Sequence, residues 1–385
     1  MKFQFPILSA LLSILTLFGS LPLQAQLNYS TTWVGGASTD MTANGNWDNG
    51  GPGRDVEFIF DDPGAVSNLP NVPTGASNSR VEVNAITFNQ AGWDLTTDGI
   101  STHVALWNGT EFLGVTPYIV SNGVGTNRIG GIRVLSGATT ITTGTGNTLI
   151  LDDDYVGQFD VASKSGDGTL IMNGDMGSFL DVNAGTFLFN GTMYDHGNTG
   201  HTIASGAVLG GTGTIQENNT DTYTFNSGST LAPGSVGIGD SSAGTLTFEN
   251  TRVGATRNFN INLDSGSELA VDIFGDGSSD TVAFGGASTE TDMNFNIDTG
   301  VTLALSGSGA FNTVYTLASF TGPGNYTGTF DSVSLNGGAL VEDTDYTIDY
   351  AASAISVTLI PEPSSLILLA GAFGLLGIFK KRIRN

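Results

Sequence analysis

Three consecutive acidic residues, Asp152, Asp153 and Asp154, are the side chains in this sequence that come closest to a catalytic pattern. Glycosidases use two carboxylates that flank the scissile bond, and alternate residues of a strand share one face, so Asp152 and Asp154 could form such a pair. An enzyme that acts on uronate polysaccharides also needs basic groups, and residues 26–360 contain only seven, scattered along the chain. We therefore predict that the protein is not an enzyme and has no catalytic residues.

The histidines do not have the spacing of a metal site. The chain has no cysteine, which excludes thiolate-bound zinc, iron–sulfur clusters and thiol nucleophiles. The three histidines are His103, His196 and His201, and the last two lie close together in a turn-rich segment. We expect all three at the surface, and we predict no metal and no cofactor.

Acidic residues are densest in a glycine-containing loop that includes Asp272, Asp276 and Asp280. An EF-hand loop needs an oxygen ligand at the position of Phe274, so that motif is excluded. A weak calcium site at the surface and a solvated turn are the two interpretations of this loop that stay open.

The net charge excludes nucleic acid as a partner. The 385 residues include 12 basic and 36 acidic ones, which gives a formal net charge of −24. Five of the basic residues lie near the two ends of the chain. Residues 26–360 hold the other seven basic residues and 35 acidic residues, and they carry a formal charge of −28. Such a surface repels nucleic acid and anionic lipid. We expect its carboxylates to keep an exported body soluble.

The first 25 residues have the organisation of a secretory signal peptide. Lys2 provides a short positive segment, and a mainly apolar segment follows at residues 5–21. The stretch that comes next ends in the small residue Ala25. We therefore predict cleavage between Ala25 and Gln26.

The end of the chain combines three elements in a fixed order. Pro361, Glu362 and Pro363 come first, and a mainly apolar segment follows at residues 364–379. A helix of that length would span about 24 Å, somewhat less than the ~30 Å hydrocarbon core, and the basic cluster behind it would keep the body outside the cytoplasm. The basic cluster consists of Lys380, Lys381, Arg382 and Arg384.

This C-terminal pattern resembles the PEP-CTERM sorting signal of Gram-negative bacteria. The resemblance implies recognition by a membrane-embedded exosortase that cleaves near Pro361, Glu362 and Pro363. The two prolines favour an extended backbone, which a protease can reach just outside the membrane. The resemblance also implies a protein that is anchored through residues 364–379 before processing and then lies at the cell surface or in the extracellular matrix.

Between its ends the sequence has short β-rich runs and no sustained helical period. Runs such as Val56–Phe60 and Thr186–Phe189 are bounded by Gly, Asn, Asp and Ser, as β-strands are. Without helices to connect parallel strands, an alternating α/β architecture is excluded.

Two segments recur further along the sequence, and these two echoes favour one of the all-β folds. In the first echo the segment at Gly168 recurs at Gly185, and in the second the segment Ser205–Leu209 recurs at Ser227–Leu231. Repeat units of roughly 17–22 residues predict the coils of a parallel β-solenoid, with glycine at the tight corners. A β-sandwich is the alternative, above all for the first third.

Three segments of the second half resemble the autotransporter-associated β-strand repeat of passenger domains, namely Gly210–Ile215, Ser229–Ser235 and Gly244–Thr247. The resemblance covers residues 165–358 well and the region from residue 27 onward loosely. It implies an all-β, right-handed parallel β-helix. The chain departs from true autotransporters because it ends in a short apolar segment and not in the strands of an outer-membrane barrel. We therefore do not expect it to carry itself across the outer membrane.

These patterns divide the chain into four predicted regions. A signal peptide at 1–25 is followed by an N-terminal β region with the first coils at 26–150, the repeat-containing β-helix at 151–358, and the sorting signal with its transmembrane helix at 359–385. All tryptophans lie in the first third, where we expect them to be buried in a cap over the end of the solenoid, and a sugar-stacking platform is the alternative. They are Trp33, Trp47, Trp93 and Trp107.

Together these features predict a non-catalytic structural protein that is exported to the cell surface or to an exopolysaccharide matrix. The expected partners are an exosortase-like membrane processing enzyme, exopolysaccharide, and the inner membrane through the C-terminal helix. A carbohydrate-binding adhesin that uses the tryptophan-rich third is the first alternative. A polysaccharide-degrading β-helix enzyme is the second.

Overall fold

The computed structural model describes residues 29–361 with short gaps. Within this range the residues left out are 37, 67, 74–79, 99–101, 108–115, 135–138, 153–159, 196–199, 218–219, 235–238, 240, 252–256, 287–290 and 322–323. The predicted signal peptide and its cleavage site between Ala25 and Gln26 lie outside the described residues. So does the sorting signal beyond Pro361, together with the predicted helix at 364–379. Among the residues that are described, no helix has the length and apolar character needed to cross a membrane.

The described part of the chain is almost entirely β-structure, with 58% in strands and 2% in helices. This confirms the all-β prediction. The strands are short because turn-forming residues interrupt the apolar runs. Two 3-10 helices were also found in this part, η1 (Asn44–Asn46) and η2 (Pro63–Ala65).

The strands of the described residues are named in chain order. Those that begin before residue 150 are β1 (Tyr29–Thr32), β2 (Val56–Phe60), β3 (Asn71–Val72), β4 (Arg80–Val83), β5 (Ala85–Phe88), β6 (Asp94–Thr97), β7 (His103–Leu106), β8 (Tyr118–Ser121), β9 (Gly125–Ile129), β10 (Ile132–Val134), β11 (Thr139–Thr143) and β12 (Asn147–Leu151). The middle of the chain forms β13 (Asp160–Ser165), β14 (Thr169–Met172), β15 (Ser178–Val182), β16 (Thr186–Phe189), β17 (Thr192–Asp195), β18 (His201–Ile203), β19 (Val208–Gly211), β20 (Thr214–Glu217), β21 (Asp221–Phe225), β22 (Thr230–Pro233) and β23 (Thr245–Asn250). The last part forms β24 (Arg257–Leu263), β25 (Glu268–Ile273), β26 (Thr281–Gly286), β27 (Thr291–Ile297), β28 (Thr302–Gly307), β29 (Val314–Phe320), β30 (Gly324–Thr327), β31 (Ser332–Leu335), β32 (Gly338–Leu340), β33 (Tyr346–Ala351) and β34 (Ala354–Leu359).

Two long sheets and a divided third face make up the body. The first sheet has the order β1-β2-β5-β8-β11-β13-β15-β18-β21-β24-β27-β30, and the second has the order β3-β6-β9-β12-β14-β16-β19-β22-β25-β28-β31-β32. The third face consists of β10-β7-β4 and, further along, β17-β20-β23-β26-β29-β34-β33. Neighbours such as β18, β21, β24 and β27 are three strands apart in the chain, so each coil there contributes one strand to each face. This is the strand order of a β-solenoid.

The strand register confirms both sequence echoes. Thr169 pairs in parallel with Thr186, at the chain offset of the first echo, and Val208 pairs with Thr230, at the chain offset of the second. The longest run of pairs joins β24 and β27 along the whole length of both strands. Parallel pairing of successive coils excludes a β-sandwich for the described residues, because sandwiches are built from antiparallel strands.

Alternate residues of most strands point into one continuous apolar core. On the third face, Phe248, Phe284 and Phe320 lie at paired positions of three successive strands. Their ring centroids are 5.9 and 5.0 Å apart, and the ring planes differ by 15° and 8°. Each coil thus continues the packing of the coil before it.

Glycine forms the corner between the first and second sheets. The backbone N–H of Gly206 donates to the carbonyl oxygen of Gly228 at 2.8 Å, and Gly228 and Gly266 continue this ladder to Gly300 at 2.8 and 3.1 Å. Gly206 has a φ of 79°, in the left-handed region that other residues adopt only at a cost. The prediction that glycine forms the corners is confirmed at this position.

Three of the four tryptophans are buried near the first strands, as predicted. Trp33, Trp47 and Trp93 are each less than 5% exposed, and Trp33 and Trp47 contact edge to face with ring centroids 5.0 Å apart. Trp107 is half-buried, and the guanidinium of Arg54 lies over its ring at 3.8 Å. These rings serve packing, and the three buried ones are not available as a sugar-stacking surface.

Antiparallel strands end the parallel stack at the C-terminal side. β34 pairs in antiparallel fashion with both β29 and β33, and β32 pairs in the same way with β31. These strands cover edges that a further coil would otherwise extend. No comparable change occurs at the predicted boundary between residues 150 and 151, which falls within β12, a strand that is paired on both sides.

Candidate functional site

Asp152 is bound by side chains of the neighbouring coils. Its carboxylate accepts hydrogen bonds from the guanidinium of Arg128 and from the amide of Asn173, the latter at 2.7 Å. The hydrogen bond to Asp152 is the main reason why the pKa of Arg128 is raised above its ordinary value. Asp153 and Asp154 lie outside the described residues.

Two of the three carboxylates of the acidic loop are buried, so the expectation of a solvated turn is wrong for them. Asp272 is 2% exposed and Asp280 is fully buried. Asp280 accepts a hydrogen bond from the backbone N–H of Gly244 at 2.7 Å, and Asp272 accepts one from Gly239 at 2.5 Å. These backbone donors replace water and make the burial of both carboxylates possible. Asp276 lies at the surface, where hydrogen bonds from the nearby Ser278 lower its pKa.

The expectation that the histidines lie at the surface is wrong for two of them. His103 is 6% exposed and His201 is 1% exposed. Each is the first residue of a strand, β7 and β18. His201 points into the solenoid beside Tyr223, whereas His103 pairs with Arg80 and alternates with the core residue Val104. His196 lies outside the described residues.

His201 meets two buried carboxylates at one corner of the solenoid. Glu217 is the last residue of β20 on the third face, and Asp221 begins β21 on the first sheet, so the chain turns from one face to the other between them. His201 lies on β18, the neighbour of β21 in the first sheet. His201 Nε2 and Asp221 Oδ2 are 2.7 Å apart. One ligand atom from each of the three residues lies within 4.8 Å of the other two, and all three side chains are buried.

Neighbouring groups orient this His201–Glu217–Asp221 cluster. The ring of Tyr223 stacks on the imidazole with a centroid distance of 4.1 Å and an interplanar angle of 22°. The backbone N–H of Thr222 donates to Asp221 Oδ1 at 2.6 Å, while Oδ2 faces the histidine. The cluster therefore offers one nitrogen and several oxygen donors, which suit a metal ion or a shared proton. Its burial excludes direct contact with a polymeric substrate.

Lys164 is a second buried ionisable group, and it occupies an inward position of the first sheet. Its ammonium donates to the backbone carbonyl oxygens of Gly166, Gly168 and Ala184 at 2.5, 2.7 and 2.8 Å. Burial lowers the pKa of Lys164 to about 8, although the negative charge of Asp167 acts in the opposite direction. The lysine thus fixes three carbonyl groups at the corner between the first and second sheets.

The lowered pKa of Lys164 predicts that the protein becomes more stable relative to a Lys164→Met variant as the pH rises from about 8 to about 10.5. In this window the folded lysine has lost its proton while the unfolded lysine still holds it, so the unfolded state binds more protons and stability increases with pH. Below the window both states are charged, and above it both are neutral. Urea denaturation of both proteins at about pH 7.5, 9 and 10 measures the difference. The quantity compared is the free energy of unfolding of the unaltered protein minus that of the variant. If this value stays constant or falls as the pH rises, the assignment is contradicted.

The residues of the predicted sorting signal are described only at their first position. Pro361 is exposed. The part of the chain outside the described residues contains the others, Glu362, Pro363, Lys380, Lys381 and Arg382. No protein-family profile, curated protein or solved structure was found to match the chain.

Proposed function

We propose that the protein is an exported, non-catalytic structural protein of the cell surface or of an exopolysaccharide matrix. The observation that carries this proposal is the solenoid itself, in which two twelve-stranded sheets share one continuous buried core. Such a body is rigid, and its stability comes from the stacking of neighbouring coils. We assign it to the right-handed parallel β-helices of the passenger-domain type.

The use of the acidic side chains favours a structural role over a catalytic one. Asp152 is held by Arg128 and Asn173. Asp272 and Asp280 are buried and accept hydrogen bonds from backbone N–H groups. All three carboxylates therefore join coils to one another, whereas a glycosidase needs two of them facing its substrate across a cleft.

The end of the fold supports processing at the C-terminal signal. β34 ends at Leu359, and the backbone N–H of Ile360 still donates to the carbonyl oxygen of Asp345 at 2.8 Å. Pro361 follows directly and is exposed. A membrane protease of the exosortase type would therefore meet the Pro361–Pro363 motif at the point where the chain leaves the solenoid. In this proposal residues 364–379 hold the body at the inner membrane until cleavage.

Replacement of Pro361, Glu362 and Pro363 by three alanines is expected to abolish processing and to leave export and membrane insertion intact. The apolar segment and the basic cluster that insert and orient the chain are unchanged in this variant. Intact-mass measurement of the surface protein, produced in a host that contains an exosortase, is the test. We expect the unaltered protein to have lost Lys380 and the residues after it, and the variant to retain them.

The matched control is the double variant Ser364→Ala and Ser365→Ala, which changes the neighbouring residues and keeps the motif. It should be processed like the unaltered protein. If both the motif variant and the unaltered protein retain Lys380 to Asn385, or if both lose these residues, the assignment of the motif as a sorting signal is refuted.

A further inference from the structure

We propose that His201, Glu217 and Asp221 bind one divalent transition-metal ion, and that zinc is the ion that suits them. Zinc is held in proteins by histidine nitrogen and carboxylate oxygen, often with three protein ligands and one water molecule. The cluster provides one imidazole and two carboxylates, all buried. This site is independent of the sorting proposal, and neither depends on the other.

The distances in the cluster are close to those of a metal site. Ligand atoms of a tetrahedral zinc ion with bonds of about 2.0–2.2 Å lie about 3.4 Å apart. In the cluster the three ligand atoms lie within 4.8 Å of one another, and His201 Nε2 and Asp221 Oδ2 are 2.7 Å apart. Side-chain shifts on the order of 1 Å would bring all three into coordination.

The orientation of two ligands is already set by their surroundings. Metal-binding histidines and carboxylates are usually held by contacts to a second layer of groups. Here the ring of Tyr223 fixes the plane of the His201 imidazole, and the backbone N–H of Thr222 holds Asp221 Oδ1. The Nε2 atom and the Oδ2 atom then face each other, and an ion placed between them would replace their direct contact.

The charge of the three groups also favours a cation. With both carboxylates ionised, His201, Glu217 and Asp221 together carry a net charge of −1 if the imidazole is protonated and −2 if it is neutral. Burying a net charge is costly, and a divalent ion bound to the neutral imidazole balances the two carboxylates. The ion would join three strands of two successive coils, β18, β20 and β21, at the turn between the third face and the first sheet.

The first test uses the full chain, purified in detergent and treated with EDTA before one equivalent of zinc is added. We expect elemental analysis after gel filtration to give about one zinc ion per chain. Because an ion that binds only the folded state stabilises it, we expect the melting temperature to rise by about 5 °C or more. Absence of bound zinc with an unchanged melting temperature would show that the three side chains form an internal ion pair and would overturn the proposal.

Variants locate the site. His201→Gln and Asp221→Asn keep the approximate shape of each side chain and should remove the bound zinc. His103→Gln and Asp280→Asn are the matched controls, since they change another buried histidine and another buried carboxylate outside the cluster. Both controls should keep one zinc ion per chain. Retention of zinc by the two cluster variants would place the ion elsewhere and overturn the proposal.

A spectroscopic test covers the case in which the cluster variants fail to fold. Cobalt(II) can replace zinc in such sites, and its visible absorption bands report the coordination number and the ligand type. Titration of the metal-free, unaltered chain should give four-coordinate bands that saturate at one equivalent. A six-coordinate spectrum, or a titration without an end point, would indicate loose binding to surface carboxylates and would refute the site.

Discussion

Phe284→Ala is expected to destabilise the solenoid by about 3–5 kcal/mol, the range for loss of a large aromatic side chain from a core. Phe284 is 1% exposed and lies between Phe248 and Phe320, with its ring nearly parallel to both. It also contacts Phe295 on the first sheet, with the ring centroids 5.0 Å apart. Alanine would leave a cavity that rigid neighbouring coils cannot close, because their strands are paired in register on both sides.

Urea denaturation followed by circular dichroism measures this loss for the unaltered protein and the variant. The matched control is Phe311→Ala, which removes the same side chain from a position that is 58% exposed, and its effect should stay within about 0.5 kcal/mol. Similar small effects for both substitutions would show that the aromatic column does not support the fold. A transition that splits into two steps for Phe284→Ala alone would show that the coils on either side unfold separately, as in other repeat proteins.

Much of this fold could be predicted because each coil repeats a local pattern. The runs Val56–Phe60 and Thr186–Phe189 are strands β2 and β16 with the predicted bounds. The two sequence echoes, which recur at Gly185 and at Ser227, have the same chain offsets as two of the strand pairs. A parallel solenoid places residues one coil apart beside each other, so a sequence echo directly gives a spatial contact.

The buried polar groups could not be predicted from hydropathy. Lys164 takes an inward position of β13, between apolar residues of the neighbouring strands, because three backbone carbonyl oxygens at a corner accept hydrogen bonds from its ammonium group. Asp272 and Asp280 are buried for the complementary reason, since backbone N–H groups bind them. These backbone partners come together only in the folded corners and cannot be recognised in the sequence. A run of charged and turn-forming residues therefore predicts exposed side chains.

The cluster at His201 did leave a signal in the sequence. His201 and Asp221 are separated along the chain by nearly the same interval as Ser205 and its echo at Ser227. The offset of that echo places His201 beside Tyr223, and Asp221 lies two residues before Tyr223 on the same face of β21. Metal motifs defined by short spacings miss such pairs, because in a solenoid the relevant spacing is the length of a coil.

The second large loss of stability is expected for Gly185→Ala, at the corner that holds Lys164. Gly185 has a φ of 65°, and a Cβ atom there would lie 2.4 Å from the carbonyl oxygen of Gly168, 2.5 Å from that of Gly166 and 2.5 Å from Lys164 Nζ. The substitution therefore combines the cost of a left-handed backbone, about 1–2 kcal/mol, with overpacking of about 1–3 kcal/mol. It would also push the ammonium away from the carbonyls it binds.

Gly206→Ala is the control that separates these two contributions. Gly206 lies at the same corner one coil later and has a φ of 79°, but a Cβ atom there would have no heavy atom within 4 Å. We expect Gly206→Ala to cost about 1–2 kcal/mol from the backbone alone, and Gly185→Ala to cost at least about 1 kcal/mol more in urea denaturation. Combining Gly185→Ala with Lys164→Met should then reduce the additional cost, because the methionine side chain has no charge to keep beside the carbonyls and can move aside. Equal losses for the two glycine variants would mean that the lysine and its carbonyls are not packed against Gly185.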